Sequence, residues 1–327
     1  MSQLNMVEAL RQALDQEMER DKRIVIMGED VGAKGGVFLV TDGLYKKYGD
    51  QRVIDTPLAE SLIVGLAIGA SINGLIPIAE IQFADFIYPA FDQIVNEAAK
   101  IRYRSNNAFH CPIVIRAPFG GGVHGGLYHS QSVESFFGHV PGLKVVVPSN
   151  PYDAKGLLAA SIRDPDPVIF LEHKKLYRLL REEVPEESYT VPIGKANIVR
   201  DGDDVSLIAW GLMVRYALEA ADKAQANGIS VEVIDVRTIS PLDKATILDS
   251  VRKTGKVAIV YEDNLTGGFG AEIAAIISEH CFEYLDAPIK RIAGPDIPAM
   301  PFNHIQENFY MPNTDKVYAI IEELAKY

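Results

Sequence analysis

Apolar positions recur with two spacings along this chain, and the alternation between them outlines the fold. Over residues 4–20, Val7, Leu10 and Leu14 fall at helical spacing. The short apolar run 24–27 reads as a buried strand, ended by Gly28-Glu29-Asp30. Residues 59–72 are apolar almost all round, which predicts a buried helix. Thr56 suits a helix cap and Pro57 the first helical position. Gly65 and Gly69 lie four apart on that helix, and each costs about 1 kcal/mol against alanine. Close backbone approach to another element or chain would offset that cost, so the helix is a candidate subunit interface. The uncharged run 62–79 has the length of a membrane span, but Asn73-Gly74 and Pro77 divide it into helix, turn and strand. Further on, 89–104 reads as a helix, 112–116 as a strand, 153–163 as a helix and 168–172 as a strand.

A polar stretch at 181–190, with four glutamates and Pro185, reads as a linker. Beyond it the pattern is regular. Strands are expected at 205–210, 229–236, 256–261 and 289–292, and helices at 213–227, 243–253, 270–285 and 315–326. Strands separated by helices predict parallel sheets with helices on both faces. The expected fold class is α/β, with two doubly wound domains at 1–190 and 191–327.

Composition narrows the function classes. The chain has 327 residues, 48% hydrophobic and 23% charged, as a globular protein would. Its net charge of −12 opposes a phosphate backbone. The two cysteines, Cys111 and Cys281, have no metal-binding or disulfide spacing and read as small buried hydrophobes. Residues 1–20 are studded with charge and lack the apolar stretch of a secretory signal, so a cytoplasmic location is expected.

Four segments carry candidate chemistry. Glu60 opens an apolar helix; beside a dry region its carboxyl is expected to be ready to share a proton with a ligand nitrogen. The plainer reading is a carboxylate complementing the helix dipole. The segment 79–86 alternates polar and aromatic side chains, suited to a flat heterocycle or simply to a core. The loop 120–131 has five glycines in its first seven positions and two histidines, His124 and His129. Neither a phosphate-binding lysine nor an HExxH spacing accompanies it. Either histidine is an acid/base candidate, and spacing does not separate them. Residues 266–270 open a helix with glycines, which suits an anion or a plain turn.

Together these segments carry a resemblance. GEDVG at 28–32, DTPLAES at 55–61, AEIQFADF at 79–86, GGGVHGGLYHSQS at 120–132, PYDAKGLL at 151–158 and APIKRIAGPDIP at 287–298 resemble the beta subunit of the 2-oxo acid dehydrogenase first component. The resemblance spans essentially the whole chain and is most similar to the branched-chain 2-oxo acid members. It implies a transketolase-like pyrimidine-binding domain followed by a transketolase C-terminal domain. It implies thiamine diphosphate as cofactor, with Glu60 bonded to N1′ of the aminopyrimidine. Glu29, Leu58, Gln82 and Phe86 would line the cofactor. His129 would be the second catalytic group, donating a proton during acyl transfer to a lipoyl group. A structural potassium ion is implied at Ile113, Ser161, Ile162, Asp164 and Asp166, largely through backbone oxygens. Asp166 departs from the asparagine that some members carry there.

The diphosphate- and magnesium-binding motif of that superfamily, GDG followed by an asparagine pair, is absent from this sequence. The resemblance therefore implies an alpha subunit supplying that half, in a heterotetramer of two alpha and two beta chains. It also implies an acyltransferase core that docks through its peripheral-subunit-binding domain. Pyruvate is the alternative substrate. A single-chain transketolase relative lacks its diphosphate motif here, and a nucleotide-binding dehydrogenase lacks GxGxxG after a strand. A non-catalytic scaffold would be expected to have lost Glu60 or His129, and both are present.

Overall fold

Strands that are buried on both faces read as near-continuous apolar runs rather than alternating ones. Ile24–Gly28, Ile76–Glu80, Val114–Phe119 and Val168–His173 are buried along their whole length. In this computed structural model, which describes residues 1–327, they form the centre of a parallel sheet. Its order runs Lys144–Val146, Val168–His173, Val114–Phe119, Ile76–Glu80, Ile24–Gly28, Val53–Asp55. The chain divides into two compact units. This sheet belongs to the first, Met1–Phe119 with Phe136–Ile193. The second comprises Gly120–Ser135 with Gly194–Tyr327, so the glycine-rich loop groups with the C-terminal half of the chain.

In the first unit the helix Met6–Arg20 packs on Pro151–Ile162. Asn5 and Glu8 cap it reciprocally, each side chain taking the other's backbone N–H. The helix expected at 89–104 is instead a succession of short turns. Tyr88–Ala90 is 3-10, Gln93–Glu97 is π, Ala98–Lys100 is 3-10, and Ile101–Arg104 is α. Pro89 lacks a donor there, and the neighbouring rings pack edge to face, Tyr88 against Phe136 at 5.9 Å. The helix Glu60–Ile72 forms as expected, but its cap is Ala59 and no side chain caps it. Thr56 is not the cap: its N–H bonds Gly28 O at 2.9 Å, and its hydroxyl is buried with no partner. Nor is the helix buried all round, because Leu62, Leu66 and Ile72 are exposed along one face.

A salt-bridge cluster lies in the core of this unit. Arg116 reaches Glu80 at 2.6 Å and Glu172 at 2.6 and 2.7 Å, and Tyr177 OH donates to Glu172 at 2.6 Å. Burial opposes the guanidinium charge, but the two carboxylates outweigh it and hold the Arg116 pKa above its ordinary value. Burial pushes the Glu80 carboxyl up, against the pull of Arg116.

The second unit has a five-stranded sheet in the order Lys290–Gly294, Val257–Asn264, Val205–Ala209, Val231–Asp235, Asn197–Arg200. The last strand is antiparallel, so the sheet is not wholly parallel as the pattern suggested. Only residues 201–204 separate it from the next strand, too few for a parallel crossover. Gly202 lets that turn pass directly over the Val231 backbone, where a Cβ would collide. Short helices at Leu44–Tyr48 and His304–Tyr310 escaped the sequence pattern, having too few turns to show a period. Both cysteines are free and buried. No helix is long and apolar enough to cross a membrane.

Candidate active site

Parallel register brings several sequence-predicted residues to one edge of the first sheet. Gly28 pairs with Asp55 on one side and with Glu80 on the other. Glu29, Thr56 and Gln82 therefore leave the sheet together, at the carboxyl ends of three adjacent strands, where open α/β sheets bind ligands. Gly32 N–H donates to Asp55 at 2.6 Å and so closes the Glu29 loop onto the neighbouring strand. Burial raises the Glu29 carboxyl pKa, and the charges of Asp30 and Glu60 raise it further. Glu29 and Glu60 thus share one electrostatic environment. Glu60 is half-buried and is the first residue of its helix.

Beside this acidic edge runs a file of rings. Phe86 lies 5.6 Å from Phe83 at 74°, Phe83 lies 5.5 Å from Phe38, and Phe38 lies 5.0 Å from Tyr177. Gln82 and Phe86 are half-buried, whereas Leu58 is exposed. A half-buried carboxylate, an orphaned buried hydroxyl on Thr56 and a ring file suit a flat, nitrogen-bearing heterocycle such as an aminopyrimidine. No group of three or more His, Cys, Asp or Glu side chains is arranged to hold a metal ion.

The residues at which the resemblance implies potassium lie elsewhere in the first unit, and the carboxylates of Asp164 and Asp166 are already engaged. Lys144 Nζ bonds both oxygens of Asp164 at 2.5 and 2.6 Å, and Arg102 bonds both of Asp166 at 2.8 and 2.7 Å. Ile113 O accepts Val168 N–H at 3.0 Å and Ser161 O accepts Asp164 N–H at 3.2 Å. Ser161 O also takes the N–H of Arg163. Both carboxylates are thus held by cationic side chains of the protein itself.

The loop Gly120–Ser135 is described within the second unit. His129 is half-buried, one residue past the 3-10 turn Gly126–Tyr128. Gly125 packs against it so closely that a Cβ would stand 2.8 Å from His129 Cβ and 2.7 Å from its carbonyl oxygen. His124 is more exposed, and its Nδ1 lies 2.6 Å from Glu307 Oε2. Three acidic residues of the C-terminal half hold the loop. Glu262 accepts Gly121 N–H, Glu307 accepts Gly122 N–H at 2.9 Å and His124 N–H at 3.1 Å, and Asp263 accepts Ser135 Oγ–H at 2.5 Å. Glu134 accepts Trp210 Nε1–H at 3.0 Å. Burial, followed by the charge of Asp263, pushes the Glu134 carboxyl up, and burial likewise raises Asp263. Sequence reasoning missed Glu262, Asp263 and Glu307, because they lie up to 185 positions from the loop and share no local pattern with it. At 266–270, Gly268 and Gly270 pack on the Tyr261 ring, and Asp296 accepts both donors of Thr266 at 3.0 and 2.6 Å.

Comparison with known proteins matches residues 2–179 to the transketolase pyrimidine-binding domain and 194–317 to the transketolase C-terminal domain. The chain is 59% identical to the 2-oxoisovalerate dehydrogenase subunit beta of Bacillus subtilis, over 100% of both chains. It is 51% identical to the pyruvate dehydrogenase E1 component subunit beta of Acholeplasma laidlawii, over 100% of this chain and 99% of that one. A solved structure, a split-gene transketolase described as an inactive beta4 tetramer, superposes with a TM-score of 0.80 at 24% identity, over 99% of each chain, which establishes the fold. Sheet order, strand-end site and full-length similarity lead to one assignment: the chain belongs to the beta subunits of the 2-oxo acid dehydrogenases, built from the two transketolase-type domains.

Proposed function

We propose that this chain is the beta subunit of a branched-chain 2-oxo acid dehydrogenase and supplies the pyrimidine half of a thiamine diphosphate site. Full-length similarity to a 2-oxoisovalerate dehydrogenase beta subunit carries the reading. The acidic strand-end edge with its ring file supports it. When bound, the cofactor supplies the electron sink that lets a 2-oxo acid lose carbon dioxide. Glu60 exchanges a proton with the pyrimidine N1′. Gln82 and Phe86 orient the ring, Phe86 through its face, and Glu29 and Leu58 line the same edge. A different chain, the alpha subunit, holds the diphosphate and its magnesium, within a heterotetramer of two alpha and two beta chains.

His129 serves acyl transfer. The lipoyl S–S bond breaks: one sulfur takes the acyl carbon and the other takes a proton from His129. The electron pair left on the substrate carbon by departing carbon dioxide reduces the disulfide. A histidine suits this task because its charge changes near neutral pH. The lipoyl group arrives on an acyltransferase core, whose peripheral-subunit-binding domain docks on this acidic chain, of net charge −12. The location is the cytoplasm. Potassium, where bound, rests on backbone oxygens of Ile113, Ser161, Ile162, Asp164 and Asp166 rather than on the two carboxylates, which Lys144 and Arg102 hold.

Similarity to pyruvate dehydrogenase beta subunits favours pyruvate as the second reading. The test co-expresses this chain with its alpha subunit and measures decarboxylation of 3-methyl-2-oxobutanoate and of pyruvate with an artificial electron acceptor. Faster turnover of the branched acid is expected. Faster turnover of pyruvate moves the chain to the second reading, and turnover of neither overturns both.

A further inference from the structure

One residue in the glycine-rich loop departs from the chemistry around it. His124 has a φ of +59°, in the left-handed region that glycine adopts freely and that costs other residues on the order of 1 kcal/mol. Gly122, Gly125 and Gly126 lie within two positions of it, and a glycine at 124 too would remove that strain. The imidazole instead faces a buried carboxylate. Its Nδ1 lies 2.6 Å from one oxygen of Glu307, and the other oxygen accepts the N–H groups of Gly122 and His124. Glu307 is wholly buried; the loop's two N–H groups satisfy its Oε1, whereas its Oε2 has no hydrogen-bond partner and meets only the His124 ring at ion-pair distance. Loop and helix His304–Tyr310 therefore determine each other's conformation.

A displacement at 122–124 has nowhere to dissipate before His129. Gly125 packs against His129 with no room for a Cβ, and Gly126, at φ +65°, packs equally closely on Phe302. We propose that Glu307 and His124 form a positioning pair that sets the loop bearing His129, and so serve acyl transfer to the lipoyl group but not decarboxylation. This rests on the acyl-transfer reading of His129.

The test uses the assembled alpha–beta enzyme with thiamine diphosphate and a lipoyl domain, comparing Glu307→Gln and His124→Gly with wild type. Small misplacements of a catalytic group cost up to about 100-fold, so kcat for lipoyl acylation is expected to fall at least about ten-fold in both variants. KM for the lipoyl domain and turnover with an artificial acceptor stay within about two-fold of wild type, as neither reads the position of His129. The melting temperature of His124→Gly does not fall, because glycine suits that φ. Amide hydrogen exchange over 120–131 accelerates in Glu307→Gln. Wild-type acylation in His124→Gly, or equal loss of both half-reactions, overturns the pairing. His129→Ala, assayed alongside, separates this failure from that of the underlying reading: if it too acylates normally, the role of His129 is wrong.

Discussion

The two candidate catalytic groups sit in regions built on opposite principles. Glu60 belongs to a strand-end edge. Glu29, Thr56 and Gln82 follow their strands by one or two residues, and sheet register alone brings them together. His129 belongs to a loop without a strand or long helix of its own, held by Glu262, Asp263 and Glu307 from far along the chain. The first region is positioned by repeated backbone pairing, and the second by a few buried side-chain bonds. An edge of this kind tolerates single surface changes. A loop held by a few carboxylates concentrates its conformation in those contacts.

The sharpest way to break the comparison is to remove each group in turn. Glu60→Ala is expected to lower decarboxylation with an artificial acceptor by roughly 10²- to 10⁴-fold. His129→Ala should leave that assay near wild type and lower lipoyl acylation by a similar factor. If His129→Ala abolished both activities equally, the division of labour between the regions would be wrong.

A second experiment weakens the support under the strand-end edge. Arg116→Met leaves the buried Glu80 and Glu172 facing each other without a cation. Removing one partner of such a cluster costs about 3–5 kcal/mol, which chemical denaturation of the purified protein would read as a lowered midpoint. A midpoint within error of wild type would mean that the pairing contributes nothing to the unit.

The smallest expected effect concerns potassium. Replacing potassium by sodium is expected to lower the melting temperature by a few degrees at most, corresponding to about 1 kcal/mol. Asp166→Asn should leave that difference unchanged, since Arg102 occupies the carboxylate. Loss of the difference in Asp166→Asn would return the carboxylate to the ion.

The strand-end region was legible because its signals are local. Continuous apolar runs gave its buried strands, and Asp55-Thr56-Pro57 marked the approach to the Glu60 helix. Even there the cap was misread. Thr56 has the right side chain for a cap, but its N–H is drawn to Gly28 O at the sheet edge, which delays the helix to Glu60. The short turns over 89–104 read as one helix in the sequence, because spacing records which positions are apolar and not how rings beside Pro89 pack.

The amino-acid sequence by itself determined the α/β alternation, the strands and helices with long apolar patterns, and the motifs that carry the family resemblance. These depend on neighbours a few residues apart. Tertiary structure alone decided which acids hold the histidine loop, why His124 adopts a left-handed backbone, and that Asp164 and Asp166 are neutralised by Lys144 and Arg102. Those outcomes depend on groups that only folding brings within hydrogen-bonding distance, and a linear pattern carries no record of such distances.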